Sequence, residues 1–309
     1  MKLIKPSFEI WKSQGSLKDI ERAARVCYQS QDKISEDDSS AITLVANLIK
    51  REHYAMLEFG KNINLSLDQI EILALFETLR RESLFKSLNF KEHCLNETIV
   101  SFNPRAALEA IIVIETKEDV KEESVFVQKL YNTLINELPS VIKGSRSIMS
   151  REVFFSTFIG TLDIIQPVTV NFICDRGVSH ELVRHRHCSF AQKSTRFCDE
   201  KGDIGFIVPC WIPDTILDIQ TGTPYTRFKD AVSDSEEYYK VLKVYGWKPE
   251  QARAVLPNAL STEIIVKANL QEWNHIFKLR CDKAAHPQMR ELMIPLREEM
   301  KHLYPTLIE

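Results

Sequence analysis

Residues 167–175, PVTVNFICD, alternate so that Val168, Val170, Phe172 and Cys174 share one side. A period of two marks a half-buried β-strand. Elsewhere the apolar spacing is mostly helical. SLKDIERAARVCYQS places Ile20, Ala23, Ala24 and Cys27 on one helical face, with Ser16 as the expected N-cap. SEDDSSAITLVANLIKREH starts acidic and ends basic, the order a helix dipole prefers. KNINLSL alternates and predicts a strand, Asp68 to about Asn89 returns to helical spacing, and VKEESVFVQKLYNTLINEL predicts a further amphipathic helix.

The second half mixes the two periods. GFIVPCW predicts a short buried strand, and FKDAVSDSEEYYKVLKVYG a helix that Gly246 ends. KPEQARAVLP predicts a short helix with Pro249 near its first position and Pro257 just past its end. TEIIVKA reads as a strand or a buried helix. LQEWNHIFKLRC and HPQMRELMIPLREEMKHLY predict closing helices, the last kinked by Pro295. There is no regular βαβ alternation, so the expected class is α+β: a mixed or antiparallel central sheet flanked by helices.

The chain has 309 residues and a net charge of −3, which argues against a general nucleic-acid binder. No apolar run reaches the roughly 20 residues of a membrane helix, and MKLIKPSFEIWKSQGS lacks the apolar core of a signal peptide. The seven cysteines are scattered without a C-x-x-C pair, so the expectation is reduced thiols in a cytoplasmic protein. Neither G-x-G-x-x-G nor G-x-x-x-x-G-K-[ST] occurs.

Against this mild acidity, ELVRHRHCSFAQKSTRF (181–197) gathers three arginines, two histidines and a lysine. Consecutive helical positions point about 100° apart. Arg184, His185 and Arg186 therefore cannot share a face, and either the helix ends there or each side meets something different. Arg196 beside the Ser194 and Thr195 hydroxyls suits a phosphate or carboxylate. A solvated basic surface is the plain alternative. His180, His185, His187, Cys188 and Cys198 fit no zinc spacing. Ser189 and Ser194 lack a G-x-S-x-G elbow.

Arg184-His185-Arg186, seven residues, then Ser194 resembles the signature of the flavin-dependent thymidylate synthases. CDRGVSHELVRHR, SFAQKSTRFC, VPCWIP, GWKPEQARAVLPN and WNHIFKLRC…AHPQM are similar to blocks of a longer branch of that family, as are RAARVCY and HYAMLEF near the start. The resemblance implies one domain over 1–309 with a mostly helical insertion at about 65–164, in which VSFNPRAALEA is similar to a segment of the longer branch. It implies conversion of dUMP to dTMP, with 5,10-methylenetetrahydrofolate as methylene donor, NADPH as reductant and FAD as cofactor. It further implies a homotetramer with active sites where subunits meet.

The resemblance also implies roles. His53, Glu58, Arg184, His185, Arg186, Gln192, Asn269 and His275 align with flavin-binding positions. Glu181, Arg184, Gln192, Lys193, Ser194, Thr195, Arg196 and Arg253 align with the dUMP site, and Arg280 with the arginine that polarises the uracil. No metal is implied. A fixed guanidinium stabilises negative charge at the uracil N3 and carbonyl without losing its proton. Several positions keep a second reading: His53 as a helix C-terminal residue, Asn269 as the cap of a helix from Leu270, and Arg253 and Arg280 as ion-pair partners. The chain departs from the family at Lys193, where an acid is usual, at Ala55, where a hydroxyl is common, and at Cys27, where some members have Ser. These departures leave room for a nucleotide- and flavin-binding relative without catalysis.

Overall fold

A computed structural model describes residues 1–67, 98–116, 125–143, 156–158, 167–199, 202–212 and 223–308. Its elements are β1 (Lys2–Ile4), β2 (Ser7–Trp11), α1 (Ser16–Tyr28), α2 (Ser39–Lys50), β3 (Ile63–Leu67), β4 (Thr98–Phe102), α3 (Pro104–Thr116), α4 (Val125–Glu137) and α5 (Ser140–Lys143). They continue as β5 (Ser156–Phe158), β6 (Pro167–Asp175), α6 (Arg176–Leu182), β7 (Ser189–Gln192), β8 (Gly205–Ile207), α7 (Pro224–Val244), α8 (Pro249–Ala252), β9 (Ser261–Asn269), α9 (Leu270–Arg280) and α10 (Pro287–Leu303). The chain divides into two compact units, one of residues 1–11, 25–30 and 168–309, the other of residues 12–24 and 31–167.

The first unit is built on a four-stranded sheet in the order β2-β6-β9-β7. β2 and β6 are antiparallel with Ile10 opposite Val170, and β7 and β9 are antiparallel with Gln192 opposite Ile264. The predicted alternation holds: Val168, Val170, Phe172 and Cys174 are buried, while the residues between them are only partly so. TEIIVKA is a strand, β9, whose Ile264, Val266 and Ala268 join the same core. Trp273, Phe277, Met289 and Leu296 of α9 and α10 complete it. Each such side chain stabilises the unit by roughly 1.5–3 kcal/mol on burial. The Trp273 indole N–H donates to Val168 O (3.1 Å), so its one polar atom is satisfied inside the core. α10 runs through Pro295.

β1 and β8 form a parallel pair, and α7 packs Val232 and Tyr239 with Phe206 and Leu260. Gly246, at φ +88°, ends α7. Its N–H donates to Lys243 O and that of Trp247 to Leu242 O, both at 3.0 Å. This is a Schellman closure, and it needs the left-handed backbone that glycine adopts without strain.

The second unit has an antiparallel sheet in the order β3-β4-β5. Its core gathers Ile20, Val45, Leu57, Phe102, Leu108 and Leu134. Ser16 does not cap α1: its hydroxyl accepts from Lys61 N–H (3.1 Å), while Asp19 accepts from Gln14 N–H (2.9 Å) and holds the start of the helix instead. Gly60 is tightly enclosed, since a Cβ there would lie 2.5 Å from Ser16 Oγ and 2.6 Å from Pro104 Cγ. The helix expected from Asp68 to Asn89 lies outside the described residues.

Candidate active site

β6 delivers the chain to the basic stretch. At its end Asp175 Oδ1 accepts from Val178 N–H (2.8 Å), capping α6. α6 has seven residues, and Val183 is its C-cap. The helix therefore ends just before Arg184, which resolves the crowding of three consecutive polar residues. His185 turns inward and is buried, while Arg184 and Arg186 stay exposed. Among the described residues, neither exposed guanidinium makes a hydrogen bond or an ion pair.

Arg280, in the last turn of α9, closes on this helix end. Its Nη1 meets Glu181 Oε2 at 2.6 Å, its Nη2 donates to Glu181 O (3.0 Å) and its Nε donates to His185 Nε2 (3.0 Å). Three of five guanidinium protons are thereby used, and two remain for another partner. Because His185 Nε2 accepts, the ring is neutral with its proton on Nδ1. Burial, the Arg280 charge and His275 together push its pKa down from 6.5 to about 4. The His275 ring stands edge-on at 6.1 Å.

Glu272 was not foreseen at this place. Its Oε1 lies 3.9 Å from His185 Nδ1, and ligand atoms of His185, Glu272 and His275 come within 4.8 Å of one another. Three such groups could hold a cation, but a neutral ring whose Nε2 is occupied by a guanidinium N–H presents a proton at its other nitrogen. The adjacent positive charge opposes a cation further. Helical spacing carries the signal: Glu272, Ile276 and Arg280 lie four residues apart on one face.

A second group forms at the other end of α6. Arg253 Nη1 donates to Thr195 Oγ1 (2.8 Å). Ser194 N–H donates to Cys27 O (3.1 Å) and Ser194 Oγ accepts from Arg196 N–H (3.3 Å). The Arg196 side chain lies 3.6 Å from Glu250 and stacks over Phe197, 5.3 Å from the ring centroid. Lys193 N–H donates to Glu263 O (2.9 Å). Gln192 sits between the groups, donating to Ser179 Oγ of α6 (2.8 Å) and Thr262 Oγ1 of β9 (3.1 Å). Arg176 opens α6, and burial followed by the Arg253 charge lowers its pKa. From Arg176 to Glu181 the helix rises about 8 Å, which sets the spacing of the two groups.

Other expected residues have local duties. Asn269 Oδ1 accepts from Glu272 N–H (2.8 Å), so the capping role is realised. His53 and Glu58 belong to the second unit. His53 N–H donates to Leu48 O (2.8 Å) and Glu52 N–H to Ile49 O (3.0 Å), with Glu52 left-handed at φ +60°. This is another Schellman closure, with Glu52 in the position glycine usually takes. Glu58 pairs with Arg105 at 2.8 Å.

The sheet and the short capped helix bring the arginine-histidine cluster together at a helix end, with Arg184 and Arg186 exposed. Residues 165–306 match the family model described as "Thymidylate synthase complementing protein". Similar proteins named flavin-dependent thymidylate synthase occur in Geobacter sulfurreducens (37% identity over 134 residues, 43% of this chain and 55% of the relative) and Pyrococcus furiosus (34% over 148 residues, 46% and 58%). Another is found in Mycobacterium tuberculosis (30% over 164 residues, 48% and 64%). Through residues 165–306, this chain is similar to the flavin-dependent thymidylate synthases. The chain spans a little over half the length of the first of these relatives.

Proposed function

We propose that the protein converts dUMP to dTMP, taking a methylene from 5,10-methylenetetrahydrofolate and reducing power from NADPH through FAD. The observation that carries this reading is the convergence of Arg280 on Glu181 and His185, which lie 99 and 95 residues earlier in the chain. Two further facts support it. Arg184 and Arg186 are cations without a protein partner among the described residues, in a chain of net charge −3. The two groups at either end of α6 stand about 8 Å apart along its axis, a separation that suits the base and phosphate of one nucleotide.

The residues present fit a flavin in their chemistry: exposed guanidinium groups for its phosphates and a neutral histidine for its polar edges. Arg184, His185, Arg186, Gln192, Asn269 and His275 would hold it. Bound there, the flavin supplies the hydride that side chains cannot. Thr195, Ser194, Arg196 and Arg253 bind the dUMP phosphate and sugar, in a loop that includes Lys193. Glu181 orients Arg280, whose two remaining N–H groups stabilise negative charge at the uracil N3 and carbonyl and so make C5 a better nucleophile. No cysteine nucleophile is used. Burial pushes the Cys174 and Cys188 thiols far up and that of Cys27 to about 11, away from thiolate chemistry. The protein is cytoplasmic, and its active sites form in a homotetramer where subunits meet.

A nucleotide- and flavin-binding relative without catalysis is the second reading, favoured by Lys193 and Ala55. Adding FAD to the purified protein, then NADPH, dUMP and methylene-folate, separates the two. Bleaching of the flavin band with dTMP formation is expected for the enzyme. Flavin or dUMP binding with no dTMP supports the second reading.

A further inference from the structure

Glu272 is anchored at the start of α9, where its N–H donates to Asn269 Oδ1 (2.8 Å). Its side chain is only 11% exposed, and Oε1 faces His185 Nδ1 at 3.9 Å, on a ring that is itself 5% exposed. Withdrawing a carboxylate from water is costly unless another group meets its charge. Arginine nitrogens only donate, so the Arg280 Nε–H contact at 3.0 Å requires a lone pair on His185 Nε2. The one proton of the neutral ring is then on Nδ1, the side of Glu272. Moved to Nε2, that proton would oppose the Arg280 N–H and break the contact. Glu272 and Arg280 stand about two turns apart on α9, and the His185 ring links them. At 3.9 Å the attraction of a carboxylate for an N–H is feeble in water, but it is screened much less between buried groups.

We propose that Glu272 is a positioning residue: its carboxylate keeps the His185 proton on Nδ1, so that Nε2 stays open to Arg280 and the guanidinium stays aimed. Glu181 fixes the guanidinium through Nη1 and Nη2, and His185 fixes it through Nε. Losing the Nε contact lets the group tilt while its charge remains. Glu272 therefore acts on the chemistry through the ring. Burial raises its pKa, while His275, His187 and its place in the first turn of α9 favour the charged form. The expected effect on rate rests on the proposed dTMP-forming activity; the effect on the ring proton does not.

Solid-state nitrogen-15 spectra of the histidine-labelled full chain at neutral pH distinguish a protonated ring nitrogen from a bare one, and His185→Gln identifies the signals of this ring. The unsubstituted protein is expected to carry the proton on Nδ1. Glu272→Ala and Glu272→Gln, both without the charge, should move a visible share of the ring to the Nε2–H form. Glu272→Gln preserves the shape of the side chain, so an effect of packing alone would spare it. Glu272→Asp keeps the charge and should keep the Nδ1 proton. In turnover, Glu272→Ala should lower kcat roughly tenfold and leave KM for dUMP within about threefold, since the guanidinium is misaimed and not removed. Added to His185→Gln, Glu272→Ala should cost no further rate, because no ring remains to hold. The inference is overturned if the ring keeps its Nδ1 proton in both uncharged variants, or if Glu272→Ala slows the His185→Gln protein as much as the unsubstituted one. A protein that forms dTMP while its ring proton and rate ignore Glu272 sinks the positioning role alone. One whose ring proton follows Glu272 but which forms no dTMP sinks the activity alone.

Discussion

Arg280 donates its Nε–H to His185 Nε2 across 3.0 Å, tying the end of α9 to the turn after α6. The same guanidinium holds Glu181 by side chain and by backbone. This contact fixes both the tautomer of the histidine and the aim of the arginine. A lysine at 280 keeps the charge but cannot make three directed bonds in one plane.

The histidine gives a prediction in pH. Its folded pKa of about 4 lies below the ordinary 6.5, so the fold holds the neutral ring. Between those values the unfolded chain binds more protons. The stabilisation is complete above pH 6.5 and is lost as pH falls toward 4, by roughly 3 kcal/mol at most. Urea unfolding at pH 7.5 and 5 should show this loss in the unsubstituted protein and much less of it in His185→Gln. Equal losses in the two proteins would contradict the assignment.

Arg253 meets Thr195 at 2.8 Å, and that bond shapes the loop proposed to hold the phosphate. A charge-assisted hydrogen bond is worth about 1.5–3 kcal/mol. Arg253→Ala should therefore weaken dUMP binding by roughly ten- to a hundredfold in calorimetry, with little change in melting temperature. An unchanged dissociation constant would place Arg253 outside the site.

At Asn269 the side-chain oxygen caps α9, so Asn269→Ala should lower unfolding stability by about 1 kcal/mol. Asn269→Asp keeps the acceptor and should keep the stability. If alanine costs nothing, the cap is not what this residue supplies.

Lys193 lies in the loop proposed to hold the phosphate. Its backbone is fixed by Glu263 O at 2.9 Å, independently of the side chain. Lys193→Glu should leave dTMP formation within tenfold of the unsubstituted rate or raise it. A greater loss would show that the ammonium takes part in anion binding.

Much of this was legible in the sequence, for identifiable reasons. The alternation of β6 and the helical spacing of α9 are one-dimensional patterns, and both folded as read. The end of α6 before Arg184 was one of two alternatives that helical geometry left open, and the structure takes it. Ser16 misled because a hydroxyl at a helix start is equally available to a neighbouring backbone, here Lys61 N–H. Glu272 escaped notice because its partner, His185, is 87 residues earlier in the chain.

The most direct test follows dTMP formation and flavin absorbance together, in the unsubstituted protein and in Arg280→Lys. The account predicts that NADPH bleaches the flavin band in both proteins. Only the unsubstituted one then converts dUMP to dTMP at a measurable rate, the variant falling at least a hundredfold. A protein that takes up no flavin, or an Arg280→Lys variant that turns over normally, would contradict it.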